Sequence, residues 1–298
     1  MGIDIHGLNF LRYALKRSGR FGKTAMIGRQ SIAIPRKKDI KKILNLTKEV
    51  DYGVFCEEIL RINFGAVNVD SYDFSDYEGA THICDMNKPL PPHLINHEHK
   101  YDTVIDFGSL EHIFNLPQAL KNLSTMCHDG GVILHVLPAN NWCGHGFWQF
   151  SPELFYSLYS EDNGYAETEV FFADLNDNKH WYKVKKPENG IRRLLENCSQ
   201  VYVLVRTKKI RNFSHDNVQQ SDYIHNWKNK NFNDLDTIQS FRKIKKFVKN
   251  HHFLSSYFRK TKKFTSTIQG KVHNIKHSKD LSNRNVHLIK RTVQEWID

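Results

Sequence analysis

The segment 138–151 holds the densest group of side chains that can bind a small polar molecule. It combines two tryptophans, two adjacent asparagines, a histidine and a glutamine in a stretch that also contains two glycines. Flat aromatic faces beside amide groups suit a hydroxylated acceptor such as a sugar. The residues predicted to bind it are Asn140, Asn141, Trp142, Trp148 and Gln149. The alternative interpretation is a structural loop whose aromatic rings cover the end of a sheet.

Two histidines follow neighbouring predicted strands, His112 after the strand at 101–106 and His145 after the strand at 132–137. Carboxyl ends of parallel strands meet at one edge of a sheet, so the two imidazoles can converge. A histidine with a pKa near its ordinary value of ~6.5 can take the proton of an attacking hydroxyl group. Glu111 can orient one imidazole, or it can point into a helix face instead. We predict His112, His145 and Glu111 as catalytic residues.

Aspartates stand at the ends of two short predicted strands, namely Asp70, Asp73 and Asp85. A carboxylate in this position can accept hydrogen bonds from both hydroxyls of a ribose, and a following one can accept from an adenine amino group. The alternative is that Asp73 and Asp76 only form a local turn. A single glycine, Gly28, follows the first strand and lets the backbone approach a ligand closely.

The sequence predicts no metal site. His93, His97 and His99 lie in a proline-rich connection without a supporting cysteine, so solvated loop histidines are the favoured interpretation. The five cysteines are scattered and form no Cys-x-x-Cys pair, which indicates the reduced thiols of a cytoplasmic protein.

Short apolar runs alternate with helical stretches along residues 1–206, and this alternation must position the polar residues. Apolar spacing predicts helices over 8–16, 37–45, 54–62, 116–126 and 152–159. Runs of strand length occur at 24–28, 66–69, 81–84, 101–106, 132–137, 168–172 and 201–206. The pattern favours an α/β fold with a doubly wound, mostly parallel, Rossmann-like sheet of about seven strands. Ligands of such sheets bind beyond the carboxyl ends of the strands, where strand order reverses.

The order of these segments resembles the motifs of class I S-adenosylmethionine-dependent methyltransferases. The matching stretches are 69–75 (VDSYDFS), 83–87 (ICDMN), 101–112 (YDTVIDFGSLEH), 130–131 (GG) and 137–138 (LP). The resemblance covers about residues 24–206 and implies S-adenosyl-L-methionine as the cofactor.

The resemblance also implies roles for individual residues. Asp73 would hold the ribose, and Asp85 would lie beside the adenine with Met86 stacking on it. The end of the 101–107 strand would border the methionine part. Gly28 alone matches the glycine-rich first motif of the family, so the loop beneath the methionine part must be built differently. The predicted cofactor-binding residues are Gly28, Arg29, Gln30, Asp73, Asp85, Met86, Phe107 and Gly108.

Charge is divided unevenly along the 298 residues, whose formal net charge is +11. Residues 207–298 hold 20 Lys and Arg against seven Asp and Glu, whereas residues 1–206 are close to neutral. This predicts a methyltransferase-like domain at 1–206 and a basic, largely helical C-terminal extension at 207–298. Within it, 238–263 has the pattern of a cationic amphipathic helix that binds an anionic membrane surface or an acidic polymer. Packing of its apolar side on the domain is the alternative.

Together these features predict a cytoplasmic S-adenosylmethionine-dependent methyltransferase that methylates an oxygen of a sugar, a glycan or another small hydroxylated acceptor. No apolar run approaches the ~20 residues of a membrane-spanning helix. Peripheral attachment to a membrane surface stays open. One alternative is a non-catalytic binding or scaffold protein that kept the fold. Another is a nucleic-acid methyltransferase that uses the basic extension. It is less favoured because the body is near neutral and no Asn-Pro-Pro-Tyr-like sequence follows the fourth strand.

Overall fold

The computed structural model describes residues 2–96, 99–191, 195, 199–229 and 288–298. The segment 238–263, for which the sequence predicts a basic amphipathic helix, lies outside these ranges, so its structure and its partners stay predictions. None of the described helices is long and apolar enough to cross a membrane.

The described residues form eleven strands, nine of which make one sheet. The strands are β1 (Gly2–Ile3), β2 (Gly22–Ile27), β3 (Ser31–Ile32), β4 (Ala66–Asp73), β5 (His82–Ile83), β6 (Tyr101–Phe107), β7 (Cys127–Asn140), β8 (Tyr165–Asp174), β9 (His180–Val184), β10 (Val201–Lys209) and β11 (Leu288–Thr292). In the large sheet the order is β11-β9-β8-β10-β7-β6-β2-β4-β5. Strands β5, β4, β2, β6 and β7 pair in parallel, and β10 runs antiparallel to both β7 and β8. The predicted α/β, Rossmann-like fold is confirmed, with a mixed sheet in which five strands are parallel and the strands beyond β7 are antiparallel.

The sheet has two strands at one edge that were not among the seven predicted from the sequence. Strand β9 pairs antiparallel with β8, and β11 pairs antiparallel with β9. Both strands mix apolar with basic residues and lie far apart in sequence, so no local pattern links them. Separately, β1 and β3 form a two-stranded parallel sheet.

Helices cover both faces of the large sheet. They are α1 (Ile5–Ser18), α2 (Lys37–Ile43), α3 (Glu57–Phe64), α4 (Leu116–Met126), α5 (Pro152–Leu158), α6 (Ser221–Asn229) and α7 (Val293–Ile297), with 3-10 turns at Pro92–Leu94 and Leu110–His112. Side chains of β2 alternate between two apolar layers. Ala25 and Ile27 belong to the layer that contains α4 and α5, and Met26 belongs to the layer that contains α1 and α3. Because both faces are covered, the central parallel strands are apolar almost throughout.

Local sequence explains two of the predicted helices well. The predicted helix at 116–126 coincides with α4, and the one at 152–159 corresponds to α5. Helix α5 begins at Pro152, and the Ser151 hydroxyl accepts the backbone N–H of Glu153 at 3.2 Å, which is a standard start for a helix.

The Gly130–Gly131 pair, from which a turn before the 132–137 run would be expected, lies inside a strand. Strand β7 already begins at Cys127, and its register with β6 moves from the Tyr101–Cys127 pair to the Thr103–Val132 pair. Residues 128–131 therefore form a bulge rather than a separate turn.

The C-terminal residues add to the sheet. Strand β10 continues to Lys209, so the boundary predicted between 206 and 207 falls within a strand. Residues 288–298 supply β11 and α7. The Trp296 ring packs edge-on against Phe171 with ring centroids 5.1 Å apart, and its indole N–H donates to the Trp181 carbonyl at 3.3 Å. Residues 288–298, which were predicted to belong to the C-terminal extension, therefore pack on the domain.

Strand order reverses at β2. From β2 the sheet continues to β4 and β5 on one side, and the chain then returns to β6 on the other side. The carboxyl ends of β2 and β6 are adjacent, and the connections that leave them go in opposite directions, so a crevice opens beyond them.

Candidate active site

A cavity of about 310 Å³ lies beyond the carboxyl ends of β2, β4 and β6, at the reversal of strand order. Its walls come from the segments that follow these strands and from the segment after β5. Of the residues predicted from sequence, those that line the cavity are Gly28, Arg29, Gln30, Asp73, Asp85, Met86, Gly108 and His112. The fold therefore brings most of the predicted cofactor residues and one predicted catalytic residue to one place.

The turn after β2 is built with one glycine. Gly28 has a φ of +71°, and a Cβ at this position would lie 2.6 Å from Ser109 Oγ. That hydroxyl donates to the Ile27 carbonyl at 2.6 Å, and the Gln30 amide nitrogen donates to the same carbonyl at 2.8 Å. Side-chain hydrogen bonds thus stabilise a turn that class I methyltransferases, which the sequence resembles, usually build from several glycines. The sequence did not single out Ser109.

Gln30 also presents an unsatisfied polar atom. The residue is buried, and its Oε1 has no hydrogen-bond partner among the described residues. A buried amide oxygen without a donor is unfavourable, so a ligand that donates a hydrogen bond here is favoured.

Arg29 fixes the rim of the cavity. Its Nε pairs with Glu57 at 2.7 Å, and one terminal nitrogen donates to the Glu78 and Gly79 carbonyls at 2.7 and 3.1 Å. The guanidinium carbon also lies 4.0 Å from the centroid of the Phe55 ring. These contacts join the turn after β2 to α3 and to the loop after β4. The charged end of Arg29 is therefore already occupied by protein groups.

Asp73 ends β4 at the cavity wall. Its Oδ1 accepts the backbone N–H of Phe74 at 2.7 Å, which is the local turn contact considered above. Its Oδ2 accepts no hydrogen bond from the described residues. One carboxylate oxygen thus holds the turn, and the other is available to a ligand.

On the far side of the cavity, Asp85 and Met86 follow β5. Asp85 accepts from the backbone N–H and the side-chain amide of Asn87, at 3.0 and 2.9 Å, and pairs with Lys88 at 3.2 Å. The hydrogen bonds from Asn87 hold the pKa of Asp85 below its ordinary value. The buried Met86 side chain supplies an apolar wall beside this carboxylate.

Three predicted catalytic residues form a cluster at the opposite wall. Glu111 Oε1 lies 3.9 Å from His112 Nε2 and 3.7 Å from His145 Nε2, and the two imidazole centroids are 5.2 Å apart. His112 lines the cavity, whereas Glu111 is fully buried behind it. The sequence prediction that the two histidines converge agrees with this geometry.

Three polar atoms of the cluster are buried without a hydrogen-bond partner in the described part of the chain. Neither Glu111 oxygen has a hydrogen-bond partner among the described residues, and the same holds for His145 Nε2. Burial, followed by the nearby Asp106 carboxylate, raises the pKa of Glu111 to about 8. Burial, followed by the His145 imidazole, lowers the pKa of His112. The surroundings thus disfavour the charged form of both groups.

A buried polar network holds the turn that carries Glu111 and His112. Asp106 Oδ1 accepts the backbone N–H groups of Ser109 and Leu110 at 3.1 and 3.2 Å. Asp106 Oδ2 lies 2.8 Å from His135 Nδ1, and His135 Nε2 lies 2.8 Å from the Tyr159 hydroxyl. These residues were not predicted as functional from the sequence. The feature that could have indicated them is a polar residue in the buried part of each of two neighbouring strands, Asp106 in β6 and His135 in β7.

The predicted acceptor loop lies over this turn, but its polar groups are bonded within the protein. Asn141 donates to the Ser199 carbonyl at 2.6 Å, and the Gln149 side-chain oxygen accepts the Trp142 N–H at 2.8 Å. The indole of Trp142 donates to Val201 O, and that of Trp148 donates to Ile113 O. Neither these four residues nor Asn140 lines the cavity that the structure describes. The loop instead presents aromatic faces, with Phe147 65% exposed and Trp148 37% exposed.

Phe107 does not reach the cavity. Its ring points to the opposite face of the sheet, against Phe10 at 6.3 Å between centroids and beside Gly7. Alternation along β6 explains this placement, because Asp106 and Phe107 must face opposite sides. Gly108, the next residue, lines the cavity, whereas the Phe107 side chain faces away from it.

Comparisons with known proteins agree with the geometry. Residues 50–197 match the sequence model of a family described as a methyltransferase domain. The chain is similar in structure to the N-methyltransferase NodS of Bradyrhizobium japonicum WM9, with 11% identity, 68% of this chain and 93% of that chain covered, and a TM-score of 0.38. It is also similar to an O-methyltransferase from a trans-AT PKS multienzyme of Brevibacillus brevis, with 10% identity, coverages of 68% and 72%, and a TM-score of 0.38. No curated protein sequence matches the chain.

The cavity residues fit the cofactor of this family. Asp73 keeps an oxygen for a ribose diol, Met86 offers an apolar surface for a base, and the unpaired Gln30 oxygen can accept from an amino group. Gly28 leaves the backbone open to close approach. With the family match over 50–197, these features lead to one conclusion. The chain carries an S-adenosylmethionine-dependent methyltransferase domain, and the family model matches it over residues 50–197.

Proposed function

We propose that the protein transfers the methyl group to an oxygen of a sugar, a glycan or another small hydroxylated acceptor. The observation that carries this proposal is the position of His112, whose imidazole lines the same cavity as the predicted cofactor residues Gly28 and Asp73. A proton acceptor at this place suits a nucleophile that must lose a proton as it attacks.

The proposed reaction assigns a task to each group. When bound, S-adenosylmethionine supplies a methyl group whose C–S bond breaks as the acceptor oxygen bonds to the methyl carbon. Asp73 would hold the ribose, and Met86 would pack on the adenine. His112 would take the proton that leaves the acceptor hydroxyl, with the His145 ring packed edge-on against it and Glu111 buried behind it. Alignment of the acceptor in the cavity would supply much of the remaining rate increase.

Aromatic rings around His112 support a flat or partly apolar acceptor. Phe114 and Phe147 meet edge to face with centroids 5.8 Å apart, and both are largely exposed. Phe74 is 73% exposed beside Asp73 on the other side of the cavity. Such rings can stack on the apolar face of a sugar ring. Because the amides of the 140–149 loop have partners in the protein, acceptor recognition would depend more on these rings than the sequence suggests.

The test is a transfer assay with methyl-labelled cofactor. The acceptor panel would contain methyl glycosides, oligosaccharides and phenols, each beside an amine analogue of similar size. We expect label on hydroxylated acceptors, and a rate for His112→Asn lower by ~100-fold or more because proton transfer typically contributes this much. The matched control is His93→Asn, since His93 is an exposed histidine that does not line the cavity.

Two results would contradict the proposal. One is label that passes only to amines. The other is an unchanged rate for His112→Asn when the variant binds S-adenosylhomocysteine like the unmodified protein.

We further propose that the segment 238–263 attaches the enzyme to an anionic surface. Its Lys and Arg residues at helical spacing among aromatic and aliphatic ones support this. Replacement of its Lys and Arg by Gln should abolish sedimentation with phosphatidylserine vesicles or with an acidic polysaccharide, and the two probes separate a membrane from a polymer. Equal sedimentation of both proteins would contradict the proposal.

A further inference from the structure

The Glu111, His112 and His145 side chains direct three donor atoms toward one point. The carboxylate oxygen and the two imidazole nitrogens all lie within 4.8 Å of one another. Glu111 Oε1 is 3.7 Å from His145 Nε2 and 3.9 Å from His112 Nε2. Neither separation is a hydrogen bond, so direct contacts between the three groups do not explain the arrangement.

Burial makes the arrangement costly unless something else binds there. Glu111 is 0% exposed, and both of its oxygens lack a hydrogen-bond partner among the described residues. Within the same residues it forms no ion pair with a lysine or an arginine. The buried His145 Nε2 also has no hydrogen-bond partner there. Buried carboxylates are normally paired, hydrogen-bonded or bound to a metal ion, so the missing partner is best supplied by a cation.

The backbone around the cluster is already fixed. The Phe147 N–H donates to the Glu111 carbonyl at 2.7 Å, and the His145 N–H donates to the Trp142 carbonyl at 3.0 Å. A Cβ at Gly146 would lie 2.7 Å from the same Glu111 carbonyl, so only glycine allows the loop to come this close. The segment carrying His145 is thus held against the turn carrying Glu111, although the two are far apart in sequence.

From these contacts we infer that Glu111, His112 and His145 bind one divalent transition-metal ion. Two imidazoles and one carboxylate are ligands that suit zinc, manganese or ferrous iron, whereas magnesium prefers oxygen ligands. Ligand distances of ~2.0–2.1 Å put donors ~3.3 Å apart in a tetrahedral site. The observed distances from Glu111, 3.7 Å to His145 and 3.9 Å to His112, are longer by a few tenths of an ångström, so binding of the ion requires small rotations of both imidazoles.

The position of the site indicates what the ion does, and this role rests on the proposed function. His112 lines the cavity, so an ion bound to it would lie at the cavity wall, beside an acceptor bound there. An acceptor hydroxyl that binds the ion loses its proton more readily, as metal-bound water does. His112 would then hold the ion instead of the proton, and the proton would pass to solvent.

The test measures metal binding directly on the full chain. After treatment with a chelator, the protein is titrated with Zn²⁺ by calorimetry and with Co²⁺ by visible absorption, which reports the ligands of the ion. We expect one tight ion per chain. Glu111→Gln and His145→Asn should each weaken binding by ~100-fold or more, because loss of even an outer contact costs 10–100-fold. His93→Asn and His128→Asn are the matched controls and should change neither titration.

S-adenosylhomocysteine affinity reports whether each variant is folded. If Glu111→Gln does not bind it, the more exposed His112→Asn replaces that variant in the comparison. Zn²⁺ binding that is equally tight in the unmodified protein, His112→Asn and His145→Asn would overturn the inference, as would binding no tighter than that of a surface histidine.

The outcomes also separate this inference from the proposed function. Full methyl transfer to hydroxyl groups by chelator-treated protein that binds no ion would refute the metal site and leave the function standing. Tight metal binding that depends on the three residues, without transfer to any hydroxylated acceptor, would refute the function and leave the site standing.

Discussion

Gly28 shows how one residue determines the cofactor end of the cavity. Its positive φ turns the chain after β2, and Ser109 Oγ occupies the space where a Cβ would lie. The Ser109 hydroxyl and the Gln30 amide then satisfy the Ile27 carbonyl. The sequence predicted that this loop departs from the family pattern. It did not predict Ser109 as the compensating group, because Ser109 comes from a different strand.

Gly28→Ala should lower stability more than Gly53→Ala does. Both glycines have positive φ, at +71° and +75°, but a Cβ at Gly53 meets no atom within 4 Å. The positive φ of either position lowers the free energy of unfolding of the alanine variant by about 1 kcal/mol. Gly28→Ala must also displace Ser109 Oγ and break its hydrogen bond, which lowers that free energy by about 1 kcal/mol more. Urea unfolding of both variants measures the difference. Equal losses of stability would show that Ser109 moves aside freely.

At the scale of elements, the turn Leu110–His112 determines the geometry of the cluster. Asp106, near the end of β6, accepts hydrogen bonds from the backbone of this turn. Asp106 in turn contacts His135 on β7, and His135 contacts Tyr159 after α5. Neighbouring strands thus orient a short turn that has little stability of its own. This explains why the catalytic candidates can be predicted from their positions after strands, whereas their contacts cannot.

His135→Leu should destabilise the protein more than Tyr159→Phe. The first change leaves both the buried Asp106 carboxylate and the Tyr159 hydroxyl without their partner. The second removes a single hydroxyl from the end of the network. We expect roughly 2–3 kcal/mol for His135→Leu and about 1 kcal/mol for Tyr159→Phe, as estimated for unpaired buried groups and for one hydrogen bond. Equal, small losses in urea unfolding would show that the network does not stabilise the fold.

At the scale of the whole molecule, local patterns predicted the seven strands β2, β4, β5, β6, β7, β8 and β10, because each is an apolar run between turn or helix signals. They did not predict the β9–β11 edge, whose pairing joins Trp181 to Arg291 across more than 100 residues. Convergence of His112 with His145 was predicted from strand order, but the complete burial of Glu111 beside them was not visible in the sequence. The hydrogen bonds of the 140–149 loop could not be predicted either, since Asn141 donates to Ser199 and the Trp142 indole donates to Val201, both distant in sequence.

Trp296→Ala should show that the chain end is part of the domain. Trp296 is 7% exposed against Phe171, and its loss should reduce the free energy of unfolding by about 3 kcal/mol, as expected for a buried aromatic side chain. The control is Trp227→Ala, because Trp227 is 62% exposed. It should change stability by less than about 0.5 kcal/mol. Similar values for the two variants would mean that residues 288–298 contribute little to the fold.

The measurement that tests the central claim most directly is calorimetric titration with S-adenosylhomocysteine, comparing the unmodified protein with Asp73→Ala and Asp76→Ala. Asp73 keeps one carboxylate oxygen free at the cavity wall, whereas Asp76 lies exposed in the following loop. We expect binding by the unmodified protein and by Asp76→Ala. Asp73→Ala should bind roughly 10- to 100-fold more weakly, which corresponds to the 1.5–3 kcal/mol of hydrogen bonds to a charged group, and should unfold at the same urea concentration. A well-folded unmodified protein that does not bind, or Asp73→Ala with unchanged affinity, would contradict the account.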